Sequence, residues 1–268
     1  MADVRGLTYV LETAVLHGRS WIALPLAHAF AHGCAREVIV SYPRSGSTWL
    51  RTMLTHLLVE DYDSNPDVFN RLIPGVTLRR LGLVHAKGRH GPASTHWFYS
   101  RSMEKAVYVV RDPRAAIPSL FRYTTTRVGK TVPVEDWIKL YLLGLYGPRW
   151  DQHVASWLNK GRDRLGSNLL LIKYEDMKND PLAELAAAAE FFGMPFTAER
   201  LRRAVSMSSV SVMKRWEERL VGHCSDSNAS FYRGGEVDEW NSLFDVRQRE
   251  RMMEISEIAM RAAGYDGT

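Results

Sequence analysis

Apolar residues in this chain fall into two alternating patterns. Val38, Ile39 and Val40 form a continuous β-branched run, which reads as a strand buried on both faces. Trp49, Leu50, Met53, Leu54 and Leu57 then recur at helical spacing. The same sequence of strand and helix returns three times. Leu81, Leu83 and Val84 predict a strand that ends at His85, followed by a Gly-containing loop through Pro92. Ala106 to Val110 predicts a strand that ends at Arg111, with Ser119 inside the helix that follows. Asn168 to Tyr174 predicts a strand, and Pro181 to Phe192 a helix opened by Pro and stopped by Gly193. A long helical region is expected over 133–160, with Trp137, Leu140, Tyr141, Leu145, Trp150 and Trp157 on its apolar side, and further helices from Ala198 and from Asp245. Alternation of this kind predicts an α/β fold, a central parallel sheet flanked by helices.

The turn between the first strand and helix carries the first chemistry. Tyr42-Pro43-Arg44-Ser45-Gly46-Ser47-Thr48 sits at a helix N-terminus, where free N–H groups, the helix dipole, three hydroxyls and a guanidinium converge on one anion. Gly46 lets the backbone approach closely. The four-residue spacer and Gly-Lys of a Walker A loop are missing, so the ligand is a phosphate carrier of another kind. Arg111, at the C-terminal end of its strand, can grip a second phosphate bidentately, with the Ser119 hydroxyl beside it.

Length and charge narrow this little further. The chain has 268 residues, enough for one large domain with a sizeable core. A net charge of +5 suits a polyanionic ligand, and the scattered basic residues show no nucleic-acid-reading pattern. Two cysteines, Cys34 and Cys224, build neither a disulfide framework nor a zinc site, consistent with a reducing cytoplasm. Arginine outnumbers lysine 27 to 8, which hints at a GC-rich bacterial genome.

Together the motifs resemble the sulfotransferase family that uses 3′-phosphoadenosine-5′-phosphosulfate (PAPS). Ser41–Leu50 looks like its 5′-phosphosulfate loop and Val109–Ser119 like its 3′-phosphate motif. Leu169–Pro181, Phe191–Pro195 and Phe231–Phe244 follow in the family's order. The resemblance runs from about residue 36 to residue 250. It implies a P-loop-like sheet in a single domain spanning 36–268, with PAPS as co-substrate, adenosine 3′,5′-bisphosphate (PAP) as product and no metal. It implies that Arg44, Ser45, Gly46, Ser47 and Thr48 hold the 5′ end. Arg111, Ser119, Arg233, Gly234 and Gly235 hold the 3′-phosphate, and Trp49 and Tyr174 lie near the adenine. Arg44 stands where the family usually has Lys, keeping the charge but excluding proton donation.

Sulfuryl transfer to a hydroxyl also implies a general base. Family members place a His after a strand between the two phosphate motifs, often as Lys-Thr-His. His85 is the first choice because it follows an apolar run, His90 the second, and His96 the third. The acceptor reads as a small molecule, glycoside or lipid, with Trp97, Phe98, Tyr99 and the helical aromatics as candidate pocket walls or core. Two other readings compete: a nucleotide kinase with Asp112 on magnesium, and a noncatalytic PAP-binding module. Residues 1–35 are expected as amphipathic helices, and core packing, pocket cover, membrane contact and dimerisation are the roles that fit. The dimerisation motif of relatives is only partly present, as Asn241, Asp245, Val246 and Glu250, and leaves the oligomeric state open.

Overall fold

A computed structural model describes residues 36–60, 62, 66–75, 92–128, 132–221 and 238–266. Four strands, β1 (Glu37–Ser41), β2 (Ala93–Thr95), β3 (Lys105–Val110) and β4 (Leu169–Lys173), form one sheet in the order β2-β1-β3-β4. All pairings are parallel. After β1 the chain first adds β2 on one side and then β3 on the other. The order therefore reverses between β1 and β3, and open parallel sheets bind ligands outside the strand ends at such a point.

Side chains alternate across the sheet as the two-residue period of a strand demands. Val38, Val40, Tyr108 and Val110 face one core layer, shared with Trp137, Trp150 and Trp157. Ile39, Val107, Val109 and Ile172 face the other, shared with Leu50, Met53, Leu54 and Leu185. Burial on both faces explains why the runs are continuously apolar. Each such side chain contributes about 1.5–3 kcal/mol relative to exposure.

Among the described residues the helices are α1 (Ser47–Leu58), α2 (Pro66–Leu72), α3 (Pro113–Val128), α4 (Val134–Leu142), α5 (Trp150–Ala155), α6 (Arg162–Leu165), α7 (Tyr174–Asn179), α8 (Pro181–Phe191), α9 (Ala198–Met207), α10 (Val210–Val221), α11 (Asp238–Leu243) and α12 (Val246–Ala262). Asp180 caps α8 through the Ala183 N–H, and Asp245 caps α12 in a reciprocal box with Gln248.

The helical region expected over 133–160 is divided into α4 and α5. Gly144 and Gly147 both take left-handed φ, 74° and 103°, and turn the chain between α4 and α5. A π-helical turn, Ser156–Gly161, follows α5. The strand expected before His85 lies outside the described residues, as do residues 1–35. On the side of β1 away from β3, the partner strand is Ala93–Thr95. None of the described helices is long and apolar enough to cross a membrane.

Candidate active site

The turn after β1 is built tightly. Ser45 N–H closes it onto the Tyr42 carbonyl at 3.2 Å, and the Gly46 carbonyl accepts from Trp49 and Leu50 to start α1. Gly46 has φ of 97°, a conformation that glycine adopts without a Cβ clash. Its pro-chiral face is also occupied, because a Cβ there would lie 2.6 Å from Cδ2 of Tyr174. Arg44 takes a left-handed φ of 70°, unusual for a residue with a side chain and a mark of stored strain at functional turns. Ser47 and Thr48, the first two residues of α1, have N–H groups that no helical carbonyl can accept.

The register between β1 and β3 brings the second segment alongside. Ser41 pairs with Val109, so Arg111 leaves the sheet level with the Pro43–Arg44 turn. Arg111 donates from Nη1 to the Arg44 carbonyl at 3.0 Å, and Arg44 donates from Nε to the Ser119 hydroxyl at 3.1 Å. The two motifs thus form one site, each reaching into the other. Arg111 is buried and its guanidinium lies 4.4 Å from the centre of the Tyr174 ring. Tyr174 meets Trp49 edge-on at 6.2 Å. Trp150 donates its indole N–H to the Arg111 carbonyl at 3.0 Å, fixing the backbone from the opposite layer.

Several donors here remain unused. Ser45 Oγ, Trp49 Nε1 and Arg111 Nε are buried and have no hydrogen-bond partner within the protein. Buried polar groups are ordinarily satisfied, so three orphans in residues already singled out for an anionic ligand mark the place a ligand fills. Ser208, in the turn between α9 and α10, has the same property and gave no signal in sequence.

The third element is His96. It emerges from the C-terminal end of β2 with Nδ1 2.9 Å from the Ser41 carbonyl and 3.2 Å from the Ser41 hydroxyl. A carbonyl only accepts, so Nδ1 carries the proton and Nε2 keeps its lone pair. The Ser41 hydroxyl in turn donates to Ser47 Oγ of the phosphate turn at 2.8 Å. Burial lowers the His96 pKa, the Ser41 carbonyl opposes that, and the charges of Arg51 and Arg44 lower it further. The ring is neutral at pH 7. Close by, burial first and the His96 charge second push His153 down to about 3, and its Nδ1 meets the Tyr108 hydroxyl at 3.0 Å.

The backbone after His96 is held by the π-helical turn. Tyr99 N–H donates to Ser156 Oγ at 3.0 Å, and Trp157 donates its indole N–H to the Trp97 carbonyl at 2.9 Å. π-turns recur at functional sites because they re-aim side chains within a helix. Trp97, Phe98 and Tyr99 are partly buried here. Trp137, Trp150, Trp157, Tyr141 and Tyr146 are core residues, not pocket walls.

Of the residues expected from sequence, the structure brings together Arg44, Ser45, Gly46, Ser47, Trp49, Arg111, Ser119 and Tyr174, with Thr48 in the first turn of α1. His85, His90, Arg233, Gly234 and Gly235 lie outside the described residues. His96 occupies the position at a strand end that sequence reasoning assigned first to His85. Thr95-His96, the third choice from sequence, keeps two residues of the Lys-Thr-His pattern. The Asp112 carboxylate, the candidate magnesium ligand of a kinase, is occupied: it holds the Arg114 guanidinium at 2.7 Å and caps α3 through the Arg114 N–H. Among the described residues no group of three or more His, Cys, Asp or Glu is arranged to hold a metal ion.

Comparison with known proteins agrees with this geometry. The chain is 27% identical to a 3-beta-hydroxysteroid sulfotransferase of Cavia porcellus, over 85% of this chain and 84% of that protein. It is 25% identical to a flavonol 3-sulfotransferase of Flaveria bidentis, over 84% and 82%. The fold matches that of mouse sulfotransferase SULT7A1, solved in complex with PAP, with a TM-score of 0.63 at 22% identity, covering 86% of this chain and 88% of that one. A sulfotransferase domain model matches residues 36–264, the stretch that holds the four described strands and the segments carrying Arg44 and Arg111, and the chain accordingly belongs to the sulfotransferase family.

Proposed function

We propose that this sulfotransferase moves the sulfuryl group of PAPS to a hydroxyl of a small-molecule acceptor, with His96 as the general base. One observation carries the reading. Two anion-gripping segments, one a helix N-terminus and one a strand-end guanidinium, interlock at the reversal of strand order with buried donors left unsatisfied.

The residues present fit a nucleotide phosphorylated at both ends. Ser45, Gly46, Ser47 and Thr48 offer N–H and hydroxyl donors to the 5′ end, and Arg44 adds its charge. Arg111 and Ser119 hold the 3′-phosphate, with Arg111 Nε and the remaining guanidinium N–H groups as the fork. Trp49 and Tyr174 provide the aromatic edge beside the base. When bound, PAPS supplies a sulfuryl group whose bond to the 5′-phosphate breaks as the acceptor oxygen attacks.

His96 takes the acceptor's proton at Nε2, and the Ser41 carbonyl holds the resulting imidazolium through Nδ1–H. A positioned base of this kind contributes roughly 10²–10⁴-fold. Arg44 and the turn N–H groups meet the negative charge that builds on the departing phosphate, as preorganised donors do in phosphoryl transfer. Trp97 and Phe98 follow His96 directly and line the acceptor side, which suits an apolar alcohol or phenol. A flavonol and a hydroxysteroid, the acceptors named for two relatives, are of that class. A cytoplasmic location fits a chain with two cysteines and no disulfide framework legible in its sequence.

The test is transfer of radiolabelled sulfate from PAPS to phenols and steroid alcohols, with His96→Asn beside the parent. The variant should lose ~10²-fold or more in kcat while binding PAP as before. The parent's kcat/KM should have its acid limb below pH 6.5, the ordinary histidine value, because the folded pKa is lowered. An unchanged kcat in His96→Asn removes the base assignment. Absence of PAP binding to the parent removes the whole reading.

A further inference from the structure

The turn after α12 touches the 3′-phosphate segment through a short chain of hydrogen bonds. Glu175 is its centre. One carboxylate oxygen, Oε1, accepts the Asp112 N–H at 3.2 Å, and the other, Oε2, accepts the Tyr265 hydroxyl at 2.6 Å. Asp112 directly follows Arg111, and Glu175 directly follows Tyr174, whose ring lies against the Arg111 guanidinium. The carboxylate therefore ties together the two backbones on which the Arg111 grip depends. It also sits at the N-terminus of α3, where a negative charge is favoured.

Tyr265 is not placed there loosely. Gly264 has φ of 74° and ends α12 in a Schellman turn, with Tyr265 N–H on the Met260 carbonyl and Gly264 N–H on the Arg261 carbonyl. Lys173, the last residue of β4, donates to the Gly264 carbonyl at 2.6 Å and lies 4.8 Å from the centre of the Tyr265 ring. Two independent locks thus fix the hydroxyl that Glu175 receives. On the other side, Trp150 holds the Arg111 carbonyl.

We propose that Tyr265, acting through Glu175, is a positioning residue for the Arg111 grip on the 3′-phosphate. Tyr265 touches no ligand. It orients the carboxylate that orients the Asp112 amide, and so sets the direction in which Arg111 leaves β3. The inference rests on the reading of Arg111 as the 3′-phosphate partner.

Calorimetric titration of the parent and Tyr265→Phe with PAP and with adenosine 5′-phosphate separates the possibilities. The variant keeps the ring under Lys173 and removes only the hydroxyl. PAP should bind about tenfold more weakly, the scale of one charge-assisted hydrogen bond, while the monophosphate, which lacks the 3′ group, stays within about twofold. Glu175→Gln, which keeps shape but loses charge, should reproduce the split. Unchanged PAP affinity in both variants overturns the inference, and so does equal weakening of both nucleotides, which would mean that Tyr265 only braces the fold. Where the parent itself binds the two nucleotides equally well, the 3′-phosphate role of Arg111 fails and this inference falls with it.

Discussion

Gly46→Ala perturbs the site at its tightest point, and the structure fixes the size of the effect. With φ at 97°, an L-residue costs about 1–2 kcal/mol more than glycine. Restricting the unfolded chain returns about 0.4–1 kcal/mol of that. The new Cβ also meets Tyr174 Cδ2 at 2.6 Å and Met177 Cε at 3.2 Å. Tyr174 cannot simply retreat, because the Arg111 guanidinium lies 4.4 Å from its ring centre. Overpacking of this kind costs about 1–3 kcal/mol. The net destabilisation should be about 2–4 kcal/mol in urea unfolding, with PAP binding weakened because the displaced ring pushes Arg111. Gly193→Ala separates the two contributions. Its φ of 66° imposes the same class of strain, but nothing lies within 4 Å of the added carbon. That variant should lose only about 0.5–1 kcal/mol. If the two substitutions cost the same and PAP affinity is unchanged in Gly46→Ala, the packing of turn, Tyr174 and Arg111 described above is wrong.

Two more outcomes follow. Arg111→Lys keeps the charge but cannot reach the Arg44 carbonyl and a phosphate together, so PAP should bind about 10–100-fold more weakly, with adenosine 5′-phosphate little affected in the same titration. Acid should destabilise the fold through its buried histidines. Burial lowers His153 to about 3 and His56 to about 4, so the unfolded chain takes up their protons first as pH falls below about 6.5. Each then removes up to ~1.4 kcal/mol per pH unit down to its folded value. Urea unfolding between pH 7 and pH 5 should show this loss, and a flat profile would contradict the burial of both rings.

The strands that lead to Arg44 and Arg111 were legible because they are buried on both faces. Val38–Val40 and Ala106–Val110 are apolar at every position, β1 ends at Ser41 just before the Pro43–Arg44 turn, and β3 ends at Val110 just before Arg111. The helical region expected over 133–160 is divided for a local reason. Its aromatic spacing is satisfied by Trp137 in α4 and Trp150 in α5, which share one core layer although the glycines between them interrupt the helix. Apolar periodicity reports the face a residue occupies and is blind to a turn that returns the chain to that face. The interlocking of Arg44 with Ser119 was equally invisible, since it depends on the register of β1 against β3.

His96, the base proposed above, lacks the apolar run that led the sequence search to His85, which lies outside the described residues. A search for a histidine behind an apolar run favours His85, yet β2 is Ala-Ser-Thr, only three residues long and without a large hydrophobe. It can be so because its neighbours do the work. The Ser94 N–H is taken by the Pro74 carbonyl, Gly75 bridges beside it, and β1 pairs along the other side, so small side chains suffice to bury the strand. Small residues also let His96 approach Ser41 closely enough for Nδ1 to find the carbonyl at 2.9 Å. The hydrogen bond that fixes the tautomer, and with it the basic lone pair on Nε2, thus depends on the absence of the hydrophobic signal that sequence reasoning sought. A larger residue at Ser94 would strengthen the strand pattern and crowd the junction on which that contact depends.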